Sequence, residues 1–175
     1  MTRWTVAVLH CGLWLAVRWR YGMTPAAAIY ALLLSWLVVL SLEDLRTGLL
    51  PNRLTLSGTV VGLACRWWLT ASFWSGLGGW SLAVTIMGTL AAVSRGGIGW
   101  GDVKLMGLIG AFLGWRQTLT ALLLGTLLGG LAGGWLLVTK RKQRRDTIPY
   151  GPFLAAGAIL VVLGDFGLDF GLPWP

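Results

Sequence analysis

The stretch Gly96-Gly97-Ile98-Gly99-Trp100-Gly101-Asp102-Val103-Lys104 lies between two strongly apolar runs and decides how the chain is read. Four glycines in six positions lead straight to an aspartate. Glycine lacks a Cβ, so this backbone can turn freely and let another chain come close. Asp102 then stands where the next helix is predicted to begin, where a short polar side chain caps the first N–H groups. A carboxylate at the edge of a membrane is also costly, and such residues mark functional sites. By themselves these nine residues fit both readings, a helix cap and a site.

The surroundings point to a membrane. Of 175 residues, 56% are hydrophobic and 11% charged, and the mean hydropathy is +0.74. That is too apolar for an ordinary soluble domain. Working outward, apolar segments are predicted at 80–93 and 103–115 on either side of the glycine stretch, then at 54–74, 26–42 and 4–17 before it and 118–139 and 154–163 after it. Several approach the length that spans a bilayer. The expectation is an all-α, polytopic membrane helix bundle of about six to seven transmembrane helices, in a single domain over residues 1–175. Gly76, Gly78 and Gly79 are predicted to form a tight turn between two spans. The i, i+4 glycine pairs Gly58/Gly62, Gly110/Gly114, Gly125/Gly129, Gly129/Gly133 and Gly130/Gly134 suit close helix packing. Cys11 and Cys65 lie far apart in apolar segments, form no CxxC pair and are expected to be buried packing residues.

Charge suggests an orientation. The net charge is +8, and the densest basic cluster is Lys140-Arg141-Lys142-Gln143-Arg144-Arg145. With that cluster at the cytoplasmic face against anionic lipid, alternating the spans puts Arg3, Arg46, Arg53, Arg95 and Lys104 on the same side. Only Arg18, Arg20 and Arg116 then fall outside, while Arg66 lies within a span. The excess of cations is explained by the membrane, so nucleic acid is not expected as a partner. Asp44 and Asp102 come out on the same cytoplasmic face, each at a helix terminus. Asp165 and Asp169 fall on the outer side, and Asp146 lies in the basic loop among its cations.

Two carboxyls that share one site cannot both ionise cheaply, so one keeps a proton and the pair can act as base and acid on one water. Such a pair hydrolyses a peptide bond without metal or cofactor, and no HExxH, Cys/His or Ser-based motif competes for the role. If Asp102 begins its helix, the helix dipole favours its ionised form and leaves Asp44 as the proton carrier. Glu43, next to Asp44, points about 100° away on a helix, and Lys104 is expected to face away from Asp102 and anchor at the interface, with electrostatic tuning of Asp102 as the alternative.

These residues resemble a known family. Gly99-Trp100-Gly101-Asp102 is similar to the GxGD motif of membrane aspartic proteases. Asp44-Leu45-Arg46, with Pro51-Asn52 seven positions on from the aspartate, resembles the first-aspartate motif of type IV prepilin peptidases. Ile148-Pro149-Tyr150-Gly151-Pro152-Phe153 resembles their late P-F-G-P-F segment, with Tyr150 in place of Phe. The resemblance covers roughly residues 30–160. It implies an integral enzyme of the cell (inner or plasma) membrane that cuts short basic leaders from prepilins and pseudopilins on the cytoplasmic side. It also implies Asp44 and Asp102 as the catalytic pair, with Gly97, Gly99 and Gly101 admitting the substrate strand. No cofactor is expected. Many members carry an insertion with two CxxC pairs that is linked to N-methylation; with no CxxC, this chain is expected to be a short, peptidase-only form. A small transporter, or a non-catalytic scaffold of a pilus or secretion machine, is the alternative reading.

Overall fold

The computed structural model describes residues 3–70, 72–94, 97–139 and 149–164. Among the described residues there are seven α-helices and no strand: α1 (Arg3–Tyr21), α2 (Pro25–Thr47), α3 (Asn52–Thr70), α4 (Phe73–Val93), α5 (Trp100–Leu113), α6 (Trp115–Val138) and α7 (Gly151–Leu163). Three of them, α2, α4 and α6, are long and apolar enough to cross a membrane. With 14 and 13 residues, α5 and α7 are shorter, roughly 20 Å each at 1.5 Å per residue. The protein is a multi-pass helical membrane bundle.

Local chemistry sets the boundaries that matter for the site. Thr24 caps α2, its hydroxyl accepting from the Ala27 N–H at 3.3 Å, and Pro25 fills the first helical position. The same helix ends where Gly48 takes φ 65° and returns its N–H to the Asp44 carbonyl at 2.8 Å. The chain then turns through Pro51 into α3. Gly99 is the N-cap of α5, which makes Asp102 the third residue of that helix rather than its cap.

The centre of the bundle is α5, buried along its length from Asp102 to Leu113 except at Lys104. It packs chiefly on α4 and α3 and meets α2 only briefly. Between lipid-solvated helices, packing depends on close approach rather than on leaving water. Gly79 of α4 crosses Gly110 of α5 so tightly that a methyl on either would run into the other's backbone. This corrects the tight turn expected at Gly76, Gly78 and Gly79: all three lie inside α4, where the missing side chains serve the crossing. Likewise Gly58 and Gly62 receive Leu108 and Phe112 of α5, and Gly125 and Gly129 receive Leu154 within α7 and Tyr150 just before it. Gly130 and Gly134, expected to pack a neighbour, face open space. Gly114 takes φ 80° and ends α5, so the break between α5 and α6 comes there and not after Trp115. Cys11 is exposed on α1 and Cys65 only half-buried, against the expectation that both are buried. The expectations for Arg95, Gly96, the 140–145 cluster, Asp146, Ile148, Asp165 and Asp169 lie outside the described residues.

Candidate active site

Asp44 and Asp102, 58 positions apart in sequence, line one cleft of about 530 Å³. Its walls are the turn from Gly48 to Asn52, the run Gly99 to Asp102, and Lys104. Both carboxylates are nearly enclosed, with 6% and 9% of their surface exposed. Burial on this scale requires partners, and each aspartate finds one at a helix start.

Asp44 sits in the last turn of α2, and its Oδ2 accepts the Gly151 N–H at 3.0 Å. Gly151 is the first residue of α7, so this N–H has no partner within its own helix. The carboxylate of α2 therefore caps α7 across space, at the positive end of its dipole. The contact leaves no room for a side chain: a Cβ on Gly151 would stand 2.7 Å from Oδ2 of Asp44. The neighbouring Tyr150 presses its ring against Gly129 of α6, which fixes the approach of this segment.

Asp102 reaches back to the N–H of its own N-cap, Gly99, as a third-position acid does in a capping box. It stands ahead of the apolar run of α5. Burial and then the charge of Asp44 push its carboxyl up to about 6, against the opposing effect of the Gly99 N–H. Burial, followed by the charge of Asp102, also raises the Tyr150 phenol.

Among the sequence-predicted residues, the fold brings Asp44, Asp102, Gly99 and Gly101 to the cleft; Gly97 is not part of its lining and lies against Ser94 instead. A Cβ on Gly101 would press on Leu50 at 3.1 Å, so here too the chain comes close to the turn that follows Asp44. Lys104 does not face away: it lines the cleft, and its Nζ donates to Oδ1 of Asn52 at 2.7 Å. Trp100 stands exposed at the rim. The sequence reading did not single out Gly151 or Asn52 for the site. A glycine held between Tyr150 and Pro152 at a helix start was the signal available for the first. Among the described residues, no group of three or more His, Cys, Asp or Glu side chains is placed to hold a metal ion. Chemically, the cleft offers two coupled carboxyls, accessible from one end of the bundle, with backbone close by on both sides.

A family model described as the type IV leader peptidase family matches residues 31–134. The chain is 31% identical over 153 residues to a prepilin leader peptidase/N-methyltransferase of Bacillus subtilis (strain 168), covering 86% of this chain and 62% of that protein. It is 34% identical over 172 residues to one of Pseudomonas putida, covering 93% of this chain and 59% of the relative. To one of Aeromonas hydrophila it is 36% identical over 152 residues, covering 77% and 49%. The chain thus spans about half to three fifths of the length of these relatives. No solved structure matches it.

Proposed function

Since this chain belongs to the type IV leader peptidase family, we propose that it is a membrane aspartic endopeptidase that removes the short basic leader of prepilin-like proteins at the cytoplasmic face. The observation that carries the reading is the meeting of Asp44 and Asp102, both largely buried, in one cleft. Neither helix end alone could hydrolyse a peptide. Together, two carboxyls with one proton between them can take a proton from water and give one to the departing amide.

The surroundings favour a division of labour opposite to the one expected from the dipole of α5 alone. Asp44 faces the N-terminus of α7 and accepts its first N–H at 3.0 Å, a contact that offsets part of the cost of burying its charge. Asp102, raised to about 6, carries the shared proton. The ionised Asp44 then draws a proton from the attacking water while Asp102 gives its proton to the scissile carbonyl oxygen; as the C–N bond breaks, Asp44 passes the water's proton to the leaving nitrogen and Asp102 regains a proton from the collapsing diol. Gly99 and Gly101 present bare backbone along the cleft, where an extended substrate strand lies. Arg46, Arg53 and Lys104 belong to the same end of the bundle, which suits a cytoplasmic orientation. Methyl transfer, the second activity in the relatives' names, is not part of this reading.

Leader cleavage in membranes tests it. Asp44→Asn and Asp102→Asn keep size and hydrogen bonding but cannot exchange the proton. Each is expected to lower cleavage of a prepilin substrate by about 10³-fold or more while the protein still inserts and accumulates. Glu43→Asn should keep most activity. Either aspartate variant cleaving at near the wild-type rate, at normal membrane levels, would sink the proposal.

A further inference from the structure

Asp44 and Asp102 belong to helices that barely touch. The packing of α5 is on α4 and α3, with little on α2. The separation of the two carboxyls is therefore set through the turn that leaves α2 and enters α3. That turn is firm within itself. Thr47 Oγ1 accepts the Leu49 N–H at 3.2 Å, Gly48 closes α2, and the Pro51 carbonyl accepts the N–H groups of Leu54 and Thr55 at 3.0 and 3.1 Å. The helix it enters, α3, packs on α5, but the turn's own ties to α5 are few. Leu50 rests against Gly101, and the one polar tie among the described residues is Lys104 Nζ donating to Asn52 Oδ1 at 2.7 Å. With that contact gone, Leu50 and the packing of α3 on α5, as at Gly58 against Leu108, are what hold the turn, and its firm interior lets it shift as a unit.

We propose that Lys104 is a positioning residue that acts through Asn52: their hydrogen bond clasps the turn following Asp44 to the start of α5 and so sets the gap between the two carboxyls. Lysine suits the task because its long stem reaches over the half-buried first turn of α5 and ends in a charged donor, and charge-assisted hydrogen bonds are short and strong. The carboxyls themselves are not touched; the clasp acts two residues beyond Asp102 and eight beyond Asp44. This deepens the peptidase reading and rests on it for its kinetic consequences, though the geometry can be tested without any activity.

The structural arm uses spin labels on cysteines at Leu45 and Trp100, both exposed and each next to one arm of the site, in a background without Cys11 and Cys65. Lys104→Met, which keeps the stem and loses the donor, should lengthen or broaden the label-to-label distance. Asn52→Leu should do the same from the other side, and Asn52→Asp, which keeps the acceptor, should leave it as in the wild type. The kinetic arm follows leader cleavage. Lys104→Met and Asn52→Leu should each lower kcat by about 10-fold to 10²-fold, since displacements near 1 Å carry such penalties, with KM changed less than about 2-fold. The double variant should be no worse than either single one, because both break one contact. The bell of the pH profile should narrow, because carboxyls moved apart couple less and their apparent pKa values draw together.

An unchanged distance in Lys104→Met overturns the proposal, and so does a loss that falls on KM or adds in the double variant, since either makes Lys104 a substrate contact. If Lys104→Met fails to accumulate, Asn52→Leu decides alone. If both fail while Asn52→Asp accumulates, the clasp is a folding element and the positioning role is wrong. Cleavage that survives Asp44→Asn would sink the peptidase reading instead and leave the distance measurement standing.

Discussion

The two ends of α5 carry opposite charges and treat them differently. At its start, Asp102 meets the positive end of the helix dipole; at its finish, Arg66 of α3 meets the negative end. Arg66 Nε donates to the Phe112 carbonyl at 2.8 Å, Nη2 to the Leu113 carbonyl at 2.6 Å, and Nη1 to Ser72 Oγ at 3.0 Å. Each of its nitrogens is thus engaged in closing α5 and joining it to α3 and α4. At the other end Asp44 accepts one backbone N–H and Asp102 turns toward another, although a carboxylate has about four acceptor positions. Both ends have a cavity, about 530 Å³ around the aspartates and about 320 Å³ beside Arg66. The difference lies in what the charged groups still have to offer. The arginine end directs its donors to two backbone carbonyls and a serine hydroxyl, while the aspartate end keeps acceptor capacity open to the cleft.

The largest effect should come from filling the one place where the aspartate end is tightest. In Gly151→Ala the new methyl would stand 2.7 Å from Oδ2 and 3.2 Å from Cγ of Asp44. Tyr150, wedged against Gly129, keeps the backbone from yielding, so the carboxylate must move. Cleavage is expected to fall about 10²-fold at normal membrane levels. A Gly151→Ala protein that cleaves at the wild-type rate would show that the cap across space does not hold Asp44, and the contrast between the two ends would lose one side.

Arg66→Met sharpens the other side. It leaves two carbonyls at the end of α5 without their donors, and an unsatisfied buried acceptor costs about 1–3 kcal/mol. The melting temperature in detergent should drop by roughly 5 °C or more, given about 2–4 °C per kcal/mol for a chain of this size. Cleavage per folded molecule should change less than about 3-fold. Abolished cleavage with unchanged melting would make Arg66 part of the chemistry and dissolve the comparison.

The sequence alone showed more of the first end than of the second. Asp44 and Asp102 stood out because carboxylates are rare in so apolar a chain and costly there; motif order then joined two positions that only folding could bring together. The apolar runs marked out seven helices, but their edges slipped wherever glycine was taken for a turn. In Gly76, Gly78 and Gly79 the same missing side chain that permits a turn permits the crossing with Gly110, and local sequence does not distinguish the two. Gly130 and Gly134 repeat the spacing of Gly125 and Gly129 yet pack on nothing, because spacing does not say which face a neighbour occupies. Gly151 was hidden for a different reason: its contribution to the site is a backbone N–H, which every residue but proline has. The pairing of Lys104 with Asn52 spans 52 positions and carries no pattern at all.

The smallest effect concerns the proton at the aspartate end. Asp102 has its carboxyl raised from the ordinary 3.8 to about 6 by burial and then by Asp44. The folded protein therefore binds this proton more tightly than the unfolded chain does. The resulting stability is complete below about 3.8 and is lost as pH rises through about 6. Asn at position 102 does not titrate. The difference in melting temperature, Asp102→Asn minus wild type, should accordingly grow by a few degrees between pH 4 and pH 7 and level off above. Asp44→Asn removes the neighbouring charge, so in that background the rise on replacing Asp102 should level off at lower pH and be smaller. Arg66→Met, at the far end, should leave the pH at which the rise occurs unchanged. A difference that stays flat across this range would mean that Asp102 ionises as an ordinary carboxylate, and Asp102 could then not be the partner that carries the proton.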